Sequence, residues 1–250
     1  MPQAPSAKDS LRTLLIQIRD KPQVRAEEHN SFCQFSGLRP EEIEVFNVFD
    51  QPHFEPQIVD GYDGVFVGGA SEASVLEPER FPFVGNSIAL MRYCIDHSIP
   101  VFASCFGFQL AVLALHGRIV RDDIGFEMGT LPIFLTDAAA KDPIHHDTPN
   151  PFMAVSVHRE RAVATPEGCI ELARTDLCSH AFKVENKPFW AFQFHPEVNK
   201  QILVERLTVY KAAYTDGDDH LNEVLQNAVE TPESNELLAK FVDRILVSSH

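Results

Sequence analysis

The chain has 250 residues, 44% of them hydrophobic, which suits the core of one large α/β domain. Its formal charge of −15 comes without any cluster of Lys and Arg, and this argues against nucleic acid or an anionic membrane as a partner, since phosphate binding needs concentrated basic side chains. Five scattered cysteines without a Cys-x-x-Cys pair argue against a disulfide framework or zinc ribbon; no run approaches the ~18–20 apolar residues of a membrane span, and the polar start MPQAPSAKDS lacks a signal-peptide core, so a reducing cytoplasm is expected.

Residues 13–18, TLLIQI, read as a first buried strand and residues 41–49, EEIEVFNVF, as a second. Between them a helix is expected, with Pro22 near its start and Gly37 at its end, completing a βαβ unit. Residues 65–67 form a third strand running into Gly68, Gly69, Ala70 and Ser71, where paired glycines predict a tight turn with backbone N–H groups turned outward to hold an oxyanion. The helical spacing over residues 83–97 leads into a short apolar strand at 101–103 and then an apolar helix over 106–115. This alternation predicts a parallel sheet covered on both faces, with ligands at the carboxyl ends of its strands.

After His116 and Gly117 the texture changes. Strand-like pieces at 118–120, 130–135, 153–157, 170–173, 181–184 and 189–194 are separated by Pro, Gly and Asp clusters, and predict an antiparallel or mixed extension of the same sheet. Residues 138–151, AAAKDPIHHDTPNP, read as a polar loop. His145, His146 and Asp147 within it are expected to face solvent, with no metal assigned. From Asn199 onward three helical patterns follow: Ile202 to Tyr210, Leu221 to Val229, and Leu237 to Leu246, punctuated by Asp216 to Asp219 and by Thr231 with Pro232.

Chemistry concentrates at Cys105. A cysteine at a strand-to-helix join stands above the sheet edge, beside helix N-terminal N–H groups that favour negative charge on sulfur. Gly107, two residues on, is expected to let the backbone approach the reacting groups. Alone, Cys105 is equally compatible with a buried packing residue. The decisive partner lies at the end of the aromatic strand FWAFQF, where His195 and Glu197 are two apart and so share a side, with Pro196 fixing the turn. A carboxylate orients an imidazole, and the imidazole takes a proton from a thiol. Cys105, His195 and Glu197 therefore form a candidate triad.

These segments, Ser104 to Gln109, Gly68 to Ser71 and Phe194 to Val198, stand in the order and spacing of the class I glutamine amidotransferases, which the first four fifths of the chain resembles. GFEMG and SVHRE make it similar to stand-alone members of the branch found in GMP synthase. The resemblance implies a three-layer, flavodoxin-like α/β sandwich with a mostly parallel sheet, an antiparallel extension and a helical tail. It implies a catalytic domain over residues 1–200, with a helical extension over 201–250 packed on it. It further implies that Cys105 attacks a γ-glutamyl amide, that His195 shuttles protons, and that Glu197 orients His195. Backbone N–H groups of Gly69 and Phe106 would hold the oxyanion, while Gln109 and the backbone around Ser71, Val157, His158 and Arg159 match positions that bind the glutamine end group. No cofactor or metal is implied.

Three positions depart from the family pattern: Ala103 for a glycine, Phe108 for a histidine and Ala70 for a proline. None removes a reacting group, but they leave the substrate open between glutamine and another γ-glutamyl compound, with the ammonia released or passed to a synthetase partner. A γ-glutamyl peptidase is the alternative within the enzymes. A non-catalytic regulatory or redox-sensing relative is the alternative outside them, disfavoured because both His195 and Glu197 are retained. A cysteine α/β-hydrolase is disfavoured because its acid precedes its histidine.

Overall fold

The computed structural model describes residues 7–209 and 218–249. Five parallel strands form half of a nine-stranded sheet: β1 (Thr13–Gln17), β2 (Ile43–Asn47), β3 (Gly64–Val67), β4 (Val101–Ser104) and β11 (Phe189–Phe192). The other half is antiparallel: β10 (Ser179–Val184), β9 (Cys169–Arg174), β6 (Glu127–Leu135) and β7 (Phe152–His158). The order across the sheet is β2-β1-β3-β4-β11-β10-β9-β6-β7.

Both faces of the parallel half are apolar, which is why its strands read as continuous hydrophobic runs. Leu14, Ile16, Val65, Val67, Val101, Ala103 and Ala191 point to a core built with α2 (Phe83–His97) and α3 (Phe106–Ala114). Their neighbours Leu15, Phe66, Phe102, Trp190 and Phe192 point to a second core, closed by α1 (Pro22–Ser36) and α6 (Pro232–Phe241). The sequence signals for α1 hold: Pro22 occupies its first turn, and Gly37 ends it at φ 72° with its N–H donating to the Cys33 carbonyl. The tail covers the sheet through Leu237, Leu238 and Phe241, whose ring meets Phe66, Phe102 and Trp190. A third apolar cluster joins α4 (Lys200–Val209) and α5 (Asp218–Asn227) to β6 and β7 through Met128, Val155, Leu203 and Val224. Of the residues used to predict these helices, Tyr210 and Asp216 lie outside those described. No helix among the described residues is long and apolar enough to cross a membrane.

Three expectations are corrected. The piece at 118–120 is not in the main sheet: β5 (Ile119–Arg121) pairs in a separate ribbon with β8 (Glu160–Ala162), a strand too short and polar to be seen in the sequence. The second strand starts later, because Pro40–Glu42 forms a 3-10 turn. Residues 138–151 are not a solvated loop. Asp137–Lys141 is a 3-10 helix, and the segment packs on one face of the sheet through Ile144 and His145, both at most 1% exposed, while His146 and Asp147 face solvent as expected. His145 bonds Asp142 through Nδ1 at 2.9 Å and stacks on Phe192, while Trp190 donates to the other Asp142 oxygen at 2.9 Å.

Candidate active site

Cys105 closes β4 and caps α3 with φ 50° and ψ −97°, a conformation that L side chains rarely adopt. The strain is held from two sides: its N–H donates to the Phe192 carbonyl at 2.7 Å, and its carbonyl accepts from Gln109 N at 3.1 Å. The backbone is thereby bent so that the sulfur leaves the sheet edge instead of joining the helix core. It faces the carbonyl of Val157 at 4.0 Å.

His195 reaches the same point from the end of β11. Its N–H donates to Val155 O at 2.8 Å and its Nδ1 bonds Glu197 Oε1 at 2.7 Å. Burial alone pushes the imidazole down, but neighbouring Cys105 and Glu197 outweigh it and hold it up at about 9. Burial likewise acts to raise Glu197, yet His195 and Arg206 hold that carboxyl down at about 2. The structure thus brings together three side chains drawn from both halves of the sequence. Arg206 of α4 stands 3.8 Å from Glu197, and Asn235 of α6 donates to the carbonyls of Pro196 and Val198 at 2.7 and 3.0 Å, clamping the turn.

Glycine is required at positions 68 and 69 for a different reason from the one expected. Neither Gly68 nor Gly69 has a positive φ. Instead, a Cβ on Gly68 would stand 2.8 Å from Glu28 Oε1, and one on Gly69 would stand 2.8 Å from His195 Cε1 and 3.5 Å from Cys105 Cβ. Close approach, not turn geometry, requires glycine here. Gly107 is corrected in the same way. A Cβ there would meet the Val67 carbonyl oxygen at 2.9 Å and Val67 Cβ at 3.0 Å, so what requires glycine is the seating of α3 on β3. Gly107→Ala is expected to lower stability by about 1–3 kcal/mol, because the obstacle is strand backbone that cannot rotate away. Urea denaturation followed by circular dichroism measures this; an unchanged midpoint would contradict the packing.

Ser71, Phe106, Gln109, Val157, His158 and Arg159 all line one cavity of about 590 Å3 that opens beside Cys105. Gln109 Nε2 donates to the Glu160 carbonyl at 2.9 Å, so it ties α3 to the cavity wall. Ser71 Oγ accepts from Arg19 at 3.0 Å. His158 lines the wall but turns its ring away, bonding Glu127 at 2.9 Å. Arg159 lies over the Phe126 ring at 4.4 Å and bonds Asp123 at 3.4 Å. Phe108, where the family pattern has histidine, is fully buried against Phe182 and does not reach the cavity, so that departure leaves the site intact. Burial pushes Cys33 up to about 11 and Cys94, Cys169 and Cys178 up to about 12, as fits thiols outside the site.

Sequence reasoning missed Arg19, Arg206, Asn235 and Glu160. None sits in a motif, and each arrives by tertiary packing.

The model of the family "Glutamine amidotransferase class-I" matches residues 33–205. The chain is 26% identical over 144 residues to a gamma-glutamyl-L-1-hydroxyisopropylamide hydrolase of Pseudomonas sp, covering 55% of this chain and 48% of that protein. It is 32% identical over 142 residues to a GMP synthase [glutamine-hydrolyzing] of Shewanella amazonensis, covering 54% and 26%. The chain thus spans under half the length of these two relatives. Gamma-glutamyl peptidase 5 of Arabidopsis thaliana is 24% identical over 204 residues, 80% of each chain. Among solved structures, a glutamine amidotransferase from Thermotoga maritima superposes with a TM-score of 0.75 at 16% identity, covering 94% of this chain and 98% of that one. With the flavodoxin-like sandwich in place and most of the chain matched by the family model, the protein belongs to the class-I glutamine amidotransferases.

Proposed function

We propose that the chain cleaves γ-glutamyl amides through a thioester on Cys105. The observation that carries this reading is a strained, cavity-lining cysteine beside an imidazole backed by a buried carboxylate. In the first step Cys105 Sγ, its proton already held on His195, bonds the amide carbon. The carbonyl oxygen becomes an oxyanion facing the N–H groups of Phe106 and Gly69, where losing one donor costs about 3 kcal/mol of barrier. His195 then gives its proton to the departing amine, leaving the thioester. A water, deprotonated by His195, completes hydrolysis and restores the thiol.

Gln109 and the backbone at Ser71, Val157, His158 and Arg159 are proposed to hold the glutamyl end. The elements of residues 201–250 act as an extension of a catalytic unit spanning residues 1–200, since Arg206 and Asn235 brace Glu197 and its turn. A cytoplasmic location fits five free cysteines, Cys105 among them.

The cavity favours a second reading, in which the preferred substrate is a γ-glutamyl peptide or conjugate. About 590 Å3 is the volume of a pocket for a drug-sized ligand and exceeds what a free amino acid fills. Beyond Cys105 its wall carries Glu72, Glu77 and Glu160 with Arg80, Arg121 and Arg159, a mixed lining suited to a polar leaving group. Comparing kcat/KM for amine release from glutamine and from γ-glutamyl dipeptides decides between the two. Faster cleavage of glutamine selects the amidotransferase reading, in which a synthetase partner receives the ammonia. No turnover of either class rejects both and leaves a regulatory relative.

The acid of the triad gives a pH prediction. Glu197→Gln removes the negative charge that helps hold His195 up, so the alkaline limb of the rate profile moves acidward from about 9. The rate at neutral pH falls by up to about 10⁴-fold as the tautomer is lost. An unmoved limb would separate Glu197 from His195. In the unaltered protein, the stabilisation from His195 is complete below its ordinary value of 6.5 and is lost as pH rises through about 9; that from Glu197 is complete above 4.5 and is lost as pH falls through about 2.

A further inference from the structure

Beside the triad, four ligand-type side chains converge whose side-chain atoms take no part in the proposed turnover. Glu127 and His158 face each other in register on β6 and β7, Cys178 immediately precedes β10 and His180 is its second residue. A donor atom from each lies within 4.8 Å of all the others. The Nε2 atoms of His158 and His180 both bond one oxygen of Glu127, at 2.9 and 2.6 Å, while its other oxygen accepts from Thr175 at 2.8 Å. His180 is fully buried, and its Nδ1 has no hydrogen-bond partner among the described residues.

We propose that Glu127, His158, Cys178 and His180 form a binding site for a divalent transition metal of the zinc type, which braces the substrate wall. The donor set of two imidazoles, one thiolate and one carboxylate is the mixture such ions take, and four ligands complete a tetrahedron with no position left for catalysis. Bond lengths of about 2.0–2.3 Å ask the widest pair to close by roughly 1 Å, within reach of side-chain rotation. Cys178 gives up its thiol proton on ligation, and each imidazole carries its remaining proton on the ring nitrogen away from the metal. The site reaches the chemistry through one residue: His158 follows Val157, whose carbonyl faces the Cys105 sulfur. Occupancy would fix the end of β7 and, with it, the wall over the nucleophile.

The test uses the full chain carrying Cys105→Ala, so that the nucleophile cannot itself take the ion. After stripping with a chelator, the protein is titrated with Zn²⁺ under reducing conditions against a chromophoric competitor and weighed by native mass spectrometry. One ion per chain is expected, with Cys178 protected from alkylation as read by peptide mapping, and affinity falling at least about tenfold in Cys178→Ser and in His180→Gln. Failure to bind Zn²⁺, or an ion that leaves Cys178 as reactive as before, overturns the proposal. The protection readout needs neither variant to fold, and because the chain tested lacks the nucleophile, its outcome does not depend on turnover at the triad.

Discussion

Replacing Cys105 with alanine is expected to lower the rate of γ-glutamyl amide cleavage by about 10⁶-fold, the scale on which losing the nucleophile of a triad acts. The loss should be that large because the remaining groups have no substitute reaction. His195 then has no thiol to deprotonate, and the oxyanion donors stabilise an intermediate that does not form. Rapid quench and intact mass should show a γ-glutamyl adduct on the unaltered protein and none on the variant. The backbone makes a companion prediction. Alanine keeps the Cβ and therefore the strain at φ 50°, whereas Cys105→Gly relieves it, so the glycine variant should be about 1 kcal/mol more stable than the alanine variant while equally inactive. Equal activity of Cys105→Ala and the unaltered chain would remove the thioester; equal stability of the two variants would remove the strained elbow.

The parts of this molecule that were legible in the sequence are those whose signal is local. Alternating apolar strands and helices gave the parallel sheet because each strand is buried on both faces. Cys105 and His195 stand at strand ends marked by Gly107 and Pro196 within a few residues. The illegible parts are contacts made at a distance. Nothing near Arg206 or Asn235 announces that they reach back to Glu197 and its turn, and α4 and α6 read only as amphipathic helices. His145 looked solvated because its neighbours are polar, yet Asp142 satisfies it and so lets it be buried beside Phe192. The paired glycines were visible, but their reason was not, since the clashing partners Glu28 and His195 lie far from them in the chain.

Glu28 leads to the largest expected effect on stability. Arg19 and Glu28, 1% and 0% exposed at their side chains, pair at 2.8 Å against the Gly68–Gly69 backbone, and Arg19 also holds Ser71. The two members should not be equivalent. Burial raises the Glu28 carboxyl above its ordinary value even though Arg19 and Arg206 act against it, so Glu28 can escape a lost partner by taking up a proton. Arg19 has no such escape, because a guanidinium keeps its charge at any working pH. Glu28→Leu is therefore expected to cost about 3–5 kcal/mol, the penalty of an uncompensated buried cation. Arg19→Met should cost less at pH 5 and more as pH rises, by up to about 1.4 kcal/mol per unit, since the unfolded chain releases the Glu28 proton while the folded chain retains it. The double variant, apolar at both positions, should recover most of the stability. Its activity should stay low, because Ser71 has lost its donor and the turn beside His195 has lost its floor. Urea titrations of the three variants at pH 5 and pH 8, read with kcat/KM, measure each part. Equal losses for the two single variants, or a double variant that regains activity together with stability, would show that the pair only fills space beneath the site.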